Sequence, residues 1–546
     1  MKRTGFLLTC LLGALAGTLC GQNPHGAAAR EIVPASLVRD YVARFNAADE
    51  ELVAQAIPNS LAADFMTAHI PRFEYPDRQI EEIYYFRWWT YRKHLKQTPD
   101  GYIVTEFLPP VPWAGKYNGI SCPALHHYNE GRWLRNRAFL DDYARYWLRG
   151  GGSLRTYTFP VARALYNCYL VTGDDSLLRA CLPDLKANFE AWEKERFDAA
   201  KGLFWQNDGA DGMEVSICGA ENADGYRATI NSAMIAEAQT IAAMAERFGD
   251  PSGEAFAKKA DALLANMLQT LWDAEARFFK VLPRTEGAGL CSARELHGYT
   301  PWYYSLAGAE YAEAWRFLMD PAHFYAPYGP TTAEQLHPGF AVSYEGHECQ
   351  WNGPSWPFAT SVTLAALANL LNEQRQRFVS PKDYAALLKI YAGSHCLKND
   401  KGVAVPWIDE NLNPFTGDWI ARTRLKTWEN GSWSAAKGGA ERGKDYNHST
   451  FCDLVITGLA GMRPAEGDTF TVFPLAPPDL PYFCLDGLSY HGHDIAILWD
   501  KDGKRYRRGK GFRVLIDGRE AFSSATLPEK PAPVSLNAAR PENRSQ

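Results

Sequence analysis

The sequence predicts an all-α main domain, arranged as a double-layered ring of paired helices, with a small β appendage at its C-terminal end. Three observations lead there. Apolar residues recur at helical spacing in pairs separated by Gly-Asp steps, the loops between pairs are long and rich in aromatics, Gly and Pro, and β-branched alternation begins only after about residue 466.

The paired helices are clearest in two stretches. Between residues 226 and 273, Met234, Ala238, Ile241, Ala245 and Phe248 keep a helical spacing, Gly249-Asp250-Pro251 breaks it, and Phe256, Ala260, Leu263, Met267 and Leu271 resume it. Residues 158–193 repeat the plan, with a break at Gly173-Asp174 and a second helix carrying Leu178, Leu182, Leu185, Phe189 and Trp192. Each hairpin runs into a short aromatic segment, KGLFWQND or ARFFKVLP. A hairpin of this size cannot bury its apolar face alone, so neighbours must stack, and roughly a dozen helices suffice to close the stack into a ring. Long loops gathered at one end of such a ring are where a site is assembled.

The expected organisation is a signal peptide over residues 1–22, the helical domain over 30–465, a small β domain over 466–527 and a flexible tail over 528–546. The β assignment rests on TFTVFP, DIAILWD and FRVLIDG, with turns at Asp502-Gly503 and Asp517-Gly518. The opening residues MKRTGFLLTCLLGALAGTLC combine a basic start, an apolar run and Ala14-Leu15-Ala16, which predicts export to the periplasm or the medium. Cys20 admits a lipid anchor, disfavoured by the bulky Leu19 before it. FRWWTYRKHL, residues 86–95, is expected to form a helix lending its aromatic side to the site.

Composition excludes several function classes. A net charge of −6 offers no attraction to nucleic acid or an anionic membrane, and no later segment reaches the roughly twenty apolar residues that span a bilayer. Of 11 Cys, two precede residue 22, and the other nine show no CxxC spacing, which argues against a disulfide framework and a zinc site and predicts buried thiols. HExxH, P-loop and GxSxG motifs are missing, and no metal or cofactor is implied. Aromatics make up 13% of the chain, many beside Gly, Pro or Asn, which suits the lining of a concave pocket.

What remains is carboxylates among Trp and Gly. WQNDGADGMEVS, residues 205–216, carries Asp208, Asp211 and Glu214 on a glycine-broken loop. HECQWNGPSWPFATS, residues 347–361, carries Trp351 and Trp356, and WIDENLNPFTGDW, residues 407–419, sets Glu410 on a Pro-braced turn between Trp407 and Trp419. WNGPSWP resembles the W-x-G-P-x-W element of the (α/α)6-barrel glycosidases that include glycoside hydrolase family 63 and the mannosylglycerate-hydrolase-like (MGH1-like) enzymes. GADGMEVS is similar to that clan's general-acid loop, and ENLNPFTG to its base segment. The order and separation agree as well.

The resemblance implies an (α/α)6 toroid, or six-hairpin glycosidase, with Asp211 as general acid and Glu410 as general base. The chain departs from the pattern with Asn207-Asp208 before the acid and Gly212-Met213-Glu214 after it, so Glu214 and Asp208 stay open as acids. An insertion of about thirty residues after the base motif brings Glu429 and Glu441, of which Glu441 is the alternative base. Expected sugar contacts are Trp351, Trp356, Trp205 and Trp407 by stacking or shaping the pocket, and Glu130, Arg132 and His127 in HHYNEGRW by hydroxyl contacts. Tyr446 and His448 in DYNHSTF join them, with Arg294, Glu295, Tyr299 and Trp302 in a second tier.

Chemistry supports a carboxyl pair independently of the resemblance. Inverting glycoside cleavage needs one protonated carboxyl for the leaving oxygen and one ionised carboxylate to activate water, about 6.5–9.5 Å apart. The expectation is an exported inverting exo-glycosidase acting on α-linked gluco- or manno-configured ends of an oligosaccharide or small glycoside. The alternatives are an α-L-rhamnosidase-like hydrolase or a glycoside phosphorylase on the same barrel, a polysaccharide lyase, and a non-catalytic glycan-binding surface protein.

Overall fold

The periodic hairpins fold as their spacing dictates. In a computed structural model, which describes residues 31–219, 222–342, 348–398, 402–420, 422 and 437–539, the stretch 158–193 forms α6, Val161–Thr172, and α7, Ser176–Arg196. The stretch 226–273 forms α8, Ala228–Phe248, and α9, Gly253–Leu271. Gly173 and Gly249 end the first helix of each pair in the left-handed region, at φ +72° and +71°, where a side chain would be strained. The aromatic segments that follow close as two-residue ladders, Phe197–Asp198 on Leu203–Phe204 and Trp272–Asp273 on Phe278–Phe279. The signal peptide, the last seven residues of the tail and Glu429 lie outside the described residues.

Earlier and later helices extend the plan. They are α1, Ala35–Ala47; α2, Asn59–His69; α3, Arg78–Lys93; α4, Ala124–Gly131; α5, Ala138–Arg149; α10, Thr300–Tyr303; α11, Pro357–Glu373; α12, Pro381–Ser394; and α13, Cys452–Leu454, which continues as a π-helical turn over Val455–Leu459. Successive packing runs α4 on α6, α6 on α8, α8 on α10, α10 on α11, α11 on α13 and α13 back on α4. Of the other helices, α7 and α9 back this series on α8 and α12 backs it on α11, while α3 packs on α12 and α13. The main domain is therefore helical, with one apolar core running through it and into the β part.

Buried glutamates tie the inner helices at their N-termini. Glu130 at the end of α4 accepts from the backbone N–H groups of Phe451, Cys452 and Asp453 at 3.1, 3.0 and 2.8 Å, satisfying orphan donors at the start of α13. Glu237 on α8 does the same for Arg163 N at the start of α6, at 3.0 Å. Arg132 pairs with Asp453 at 2.7 Å, and His127 bridges Tyr143 Oη and the carbonyl of Asn447, at 3.1 and 2.6 Å.

The C-terminal β part is a five-stranded antiparallel sheet plus a three-stranded one. The first takes the order β1, Arg72–Glu74; β2, Tyr482–Tyr490; β3, His493–Asp500; β4, Gly511–Ile516; β5, Arg519–Ser524. Its edge strand thus comes from the N-terminal region, which the sequence did not signal. In the second sheet Ala532–Ser535 pairs with Thr469–Val472, so this part of the expected flexible tail is a strand.

Two further expectations are corrected. FRWWTYRKHL lies within and just after α3, whose aromatics are core: Trp88 and Tyr91 are fully buried, and none of that stretch lines the cleft described below. Cys218 and Cys291, 73 positions apart, form a disulfide, while the other seven described cysteines are thiols. Among the described residues no helix is long and apolar enough to cross a membrane.

Glu130 was expected to touch sugar, and its three backbone bonds give it a structural task instead. Glu130→Ala should leave three buried donors unpaired and lower unfolding free energy by about 3 kcal/mol or more in urea titrations. A substitution that leaves the midpoint unchanged contradicts this account of α13.

Candidate active site

Three loops meet over a cleft of about 860 Å³. The first follows the aromatic ladder after α7. Asp208 closes it on itself, accepting from Gly209 N at 3.0 Å, Asn222 N at 2.6 Å and Ser216 Oγ at 3.3 Å. A turn over Gly209–Asp211 leads to Gly212 at φ +76°, where a Cβ would sit 2.6 Å from Cys122 Sγ. Glycine is needed there for both reasons. The turn sends Asp211 and Glu214 to different places. Asp211 accepts from Thr158 Oγ1 at 2.6 Å and from Thr229 Oγ1, and faces a small inner chamber of about 80 Å³. Glu214 lines the cleft.

The second loop, residues 348–356, is the common partner of the other two. Trp351 N donates to Val215 O at 2.9 Å, and Val215 bridges Gln350 in parallel fashion. Five residues on, Ser355 and Leu412 exchange both backbone bonds, at 3.0 and 2.9 Å. The segment carrying Glu214 and the segment carrying Glu410 are thus both hydrogen-bonded to one short stretch of backbone. Gly353 within it passes so close to Ala341 that a Cβ would fall 2.1 Å from that carbonyl oxygen. Trp351 and Trp356 stack at 4.4 Å and 10°, and Trp356 Nε1 donates to Gln350 O at 2.7 Å, immediately before α11 starts at Pro357.

The third loop presents Glu410. Asn413 Oδ1 accepts from Phe415 N and Thr416 N at 2.9 and 3.3 Å, and Gly417 at φ +78° completes the Pro-braced turn. Asp409 accepts from Glu410 N at 3.0 Å and pairs with Arg422 at 2.5 Å, which fixes the backbone on the other side. Both Glu410 carboxylate oxygens are buried without a hydrogen-bond partner among the described residues. Among the described residues the nearest cation is Arg442, whose Nε lies 3.4 Å from Oε1 and whose Nη1 bonds Glu348 at 3.0 Å.

A third carboxyl joins the pair. Glu106, in the segment between α3 and α4, lines the same cleft and accepts from Tyr446 Oη at 2.5 Å. Burial, with the charge of Glu410 adding to it, pushes Glu106 and Glu214 up to about 8. Glu410 is pushed up to about 7 by burial, against the opposing pull of Arg442. The Trp351 indole N–H lies close enough to Glu214 to moderate its shift, yet falls outside hydrogen-bond geometry.

Aromatic rings line one path through the cleft. The half-exposed Trp113 packs on Phe107 at 5.6 Å, Phe107 on Tyr446 at 4.7 Å, Tyr446 on His448 at 3.7 Å and His448 on Trp356 at 6.0 Å. Arg442 caps Trp113 from 4.8 Å. Burial holds His448 well below the usual imidazole range, so it is a neutral ring at this wall.

Carboxyls spaced around an aromatic cleft on a helical domain are a glycosidase arrangement, and comparison with known proteins agrees. Residues 116–449 match the mannosylglycerate hydrolase MGH1-like glycoside hydrolase domain. The chain belongs to the MGH1-like glycoside hydrolase family. Residues 462–521 match the C-terminal domain of glycosyl hydrolase family 65, which covers most of the five-stranded sheet. Among solved structures, a protein titled sialidase is 38% identical with a TM-score of 0.84 over 94% of this chain. The chain spans 45% of that protein's length. An α-L-rhamnosidase from Streptomyces avermitilis, complexed with L-rhamnose, matches 83% of this chain and 38% of its own, at 12% identity and a TM-score of 0.50, which is a likeness of fold.

Within this family member the residues singled out from sequence divide into two sets. Glu214, Glu410, Trp351, Trp356, Tyr446 and His448 come together in the cleft. The others do not. Asp211 faces the inner chamber, Trp205 is sandwiched between the guanidinium groups of Arg196 and Arg284 at 4.4 and 4.2 Å, and Glu441 pairs with Lys444 at 3.3 Å outside the lining. Trp407 lies under Arg422 at 4.9 Å, and Trp419 is core with its indole donating to Cys396 O at 2.9 Å. Glu130, Arg132 and His127 hold α13 and the residues before it. Arg294 pairs with Glu334 at 2.7 Å, Glu295 with His297 at 2.9 Å, and Tyr299 and Trp302 are core.

Sequence reasoning missed Glu106, Trp113, Glu348 and Arg442. TEFLPPVPW, residues 105–113, has the same acid-aromatic-Pro texture as the base segment and could have flagged Glu106 and Trp113. Arg442 directly follows Glu441, which the sequence reading did weigh.

The raised carboxyls carry a signed consequence for stability. A carboxyl whose folded value exceeds its unfolded value binds more protons in the folded state, so stability falls as pH rises from about 4.5 towards 8. Glu214→Gln removes that penalty. Its melting temperature should exceed that of the parent chain at about pH 9, and the difference should shrink away below about pH 4. An equal gain at both pH values contradicts the assigned burial of the carboxylate.

Proposed function

We propose that the cleft hydrolyses glycosides with inversion, Glu214 acting as general acid and Glu410 as general base. The observation that carries this reading is the placement of both carboxyls on loops bonded to the same backbone stretch, in one cleft walled by aromatic rings. Glu214 has no cation among the groups that shift it and holds its proton at neutral pH. Glu410 has Arg442 beside it, which favours the ionised form, and neither of its buried oxygens is taken up by a hydrogen bond among the described residues.

The proposed step balances simply. The Glu214 proton passes to the glycosidic oxygen as its bond to the anomeric carbon breaks, and Glu410 takes a proton from the water that attacks that carbon from the opposite face. The products are a free sugar of inverted anomeric configuration and the leaving alcohol. Family membership supports an exo-acting enzyme on α-linked gluco- or manno-configured ends. We further infer an (α/α)6 toroid, supported by the closed circuit of packing from α4 through α13, and export, supported by residues 1–22.

A panel of aryl glycosides and disaccharides, with the product anomer followed by NMR from the first minutes, tests the reading. Inversion at the anomeric centre is expected, and retention overturns the mechanism. Glu214→Gln and Glu410→Gln should each lower kcat by about 10²–10⁴-fold. Asp211→Asn should cost stability while keeping kcat within about tenfold of the parent, because its carboxylate meets two threonine hydroxyls outside the cleft.

A further inference from the structure

Inverting hydrolysis uses two carboxyls, and Glu106 is a further one in this cleft. Glu106 is 4% exposed, and its Oε1 is occupied by the Tyr446 hydroxyl at 2.5 Å. The backbone around it is pinned as well, since Asn447 N donates to Glu106 O at 3.1 Å and Asn447 Nδ2 to Thr105 O at 3.2 Å. Its Oε2 has no partner among the described residues, yet is not among the solvent-inaccessible orphans, and the residue lines the cleft. One oxygen is therefore held by the protein and the other presented to whatever fills the cleft.

We propose that Glu106 is a substrate-binding carboxyl, its Oε2 hydrogen-bonding a hydroxyl of an uncharged terminal sugar, with Tyr446 fixing its orientation. This rests on the reading of the cleft as a glycosidase site and names the class of sugar it takes. Glu106 is poorly suited to proton transfer because a hydroxyl and two backbone ties immobilise it, whereas Glu410 is left with both oxygens unpartnered. It is well suited to recognition, since a buried polar group left unpaired by a substrate lacking the matching hydroxyl costs far more than a missing methylene.

The charge inventory sets the sugar class. Among the described residues four glutamates line the cleft, Glu106, Glu214, Glu348 and Glu410, against two cations, Lys437 and Arg442. Arg442 is already engaged by Glu348 and Glu410. Burial, reinforced by the charge of Glu410, also keeps Glu106 protonated near neutrality, so Oε2 can present a donor as well as an acceptor. A sugar carboxylate placed at Oε2 would stand among buried carboxyls and beside the ionised Glu410, with Arg442 already engaged, which disfavours uronic and sialic acids. The name sialidase belongs to a protein of which this chain spans 45%.

The test reads binding and turnover separately. Trp113, Trp351 and Trp356 lie in the cleft, so indole fluorescence reports occupancy without catalysis. Glucose, mannose, galactose and rhamnose form the neutral panel, with glucuronate and N-acetylneuraminate as anionic probes. At least one neutral sugar should quench the parent chain, Glu106→Ala should weaken that sugar about tenfold or more, and the isosteric Glu106→Gln should lose less. Neither anionic probe should quench. For an aryl glycoside that is turned over, KM should rise in Glu106→Ala, with the limbs of the kcat/KM pH profile staying in place. The monodeoxy analogue lacking the contacted hydroxyl should then show no further loss in that variant.

Melting temperatures of both variants check folding, and Glu106→Gln decides the matter if Glu106→Ala unfolds. The proposal is overturned if no neutral sugar quenches, if either anion binds as well as a neutral sugar, or if both variants bind like the parent. It is also overturned if Glu106→Gln abolishes turnover and azide restores it, which would make Glu106 part of the proton-transfer pair. Quenching that depends on Glu106 without any turnover sinks the hydrolase reading and leaves the binding assignment standing.

Discussion

Residues 350–355 hydrogen-bond on one side to the loop that carries Glu214 and on the other to the loop that carries Glu410. That short stretch is the ruler of the site. Carboxyls drawn from positions nearly two hundred apart can be held to a fixed separation only if something rigid spans them, and a misplacement of about 1 Å can cost a hundredfold in rate. The stretch is rigid for local reasons. Its indoles stack, Trp356 bonds back to Gln350, Pro354 and Pro357 restrict the backbone, and Gly353 lets it pass against Ala341.

Around that ruler, burial does most of the electrostatic tuning. Burial makes each of Glu106, Glu214 and Glu410 resist ionising, and the charge of Glu410 opposes ionisation of the other two. What separates Glu410 from Glu214 is Arg442, 3.4 Å from Glu410 and delivered by the segment that follows the insertion after the base motif. The same segment supplies Tyr446 and His448 to the aromatic wall. Asp409 and Arg422 anchor the loop from behind, so the carboxylate that faces the cleft is left free of hydrogen bonds while its neighbour in sequence takes the structural ones. Buried carboxyls elsewhere, Glu130 and Glu237, spend the same chemistry on helix N-termini.

Much of the helical domain was legible in the sequence because a 3.6-residue period survives any tertiary context, and Gly173 and Gly249 mark breaks that only glycine makes cheaply. The base loop and the two indoles of the second loop were legible as local motifs. The acid loop was legible only as a loop: Gly212 at positive φ reverses which side chains face the cleft, and periodicity carries no information through such a turn. Glu130 and Trp205 misled because a buried helix cap or a cation-sandwiched indole has the same local sequence as a sugar contact. Arg442, the Cys218–Cys291 bridge and the edge strand Arg72–Glu74 depend on partners between 32 and 414 residues away, which no window along the chain can read.

A crystal structure of the chain with a basic iminosugar in the cleft measures the central claim directly. The account predicts the carboxyl groups of Glu214 and Glu410 on opposite faces of the ring, about 6.5–9.5 Å apart, with a water held by Glu410. A separation near 5–5.5 Å, or a ring bracketed by Asp211 in place of Glu214, would contradict it.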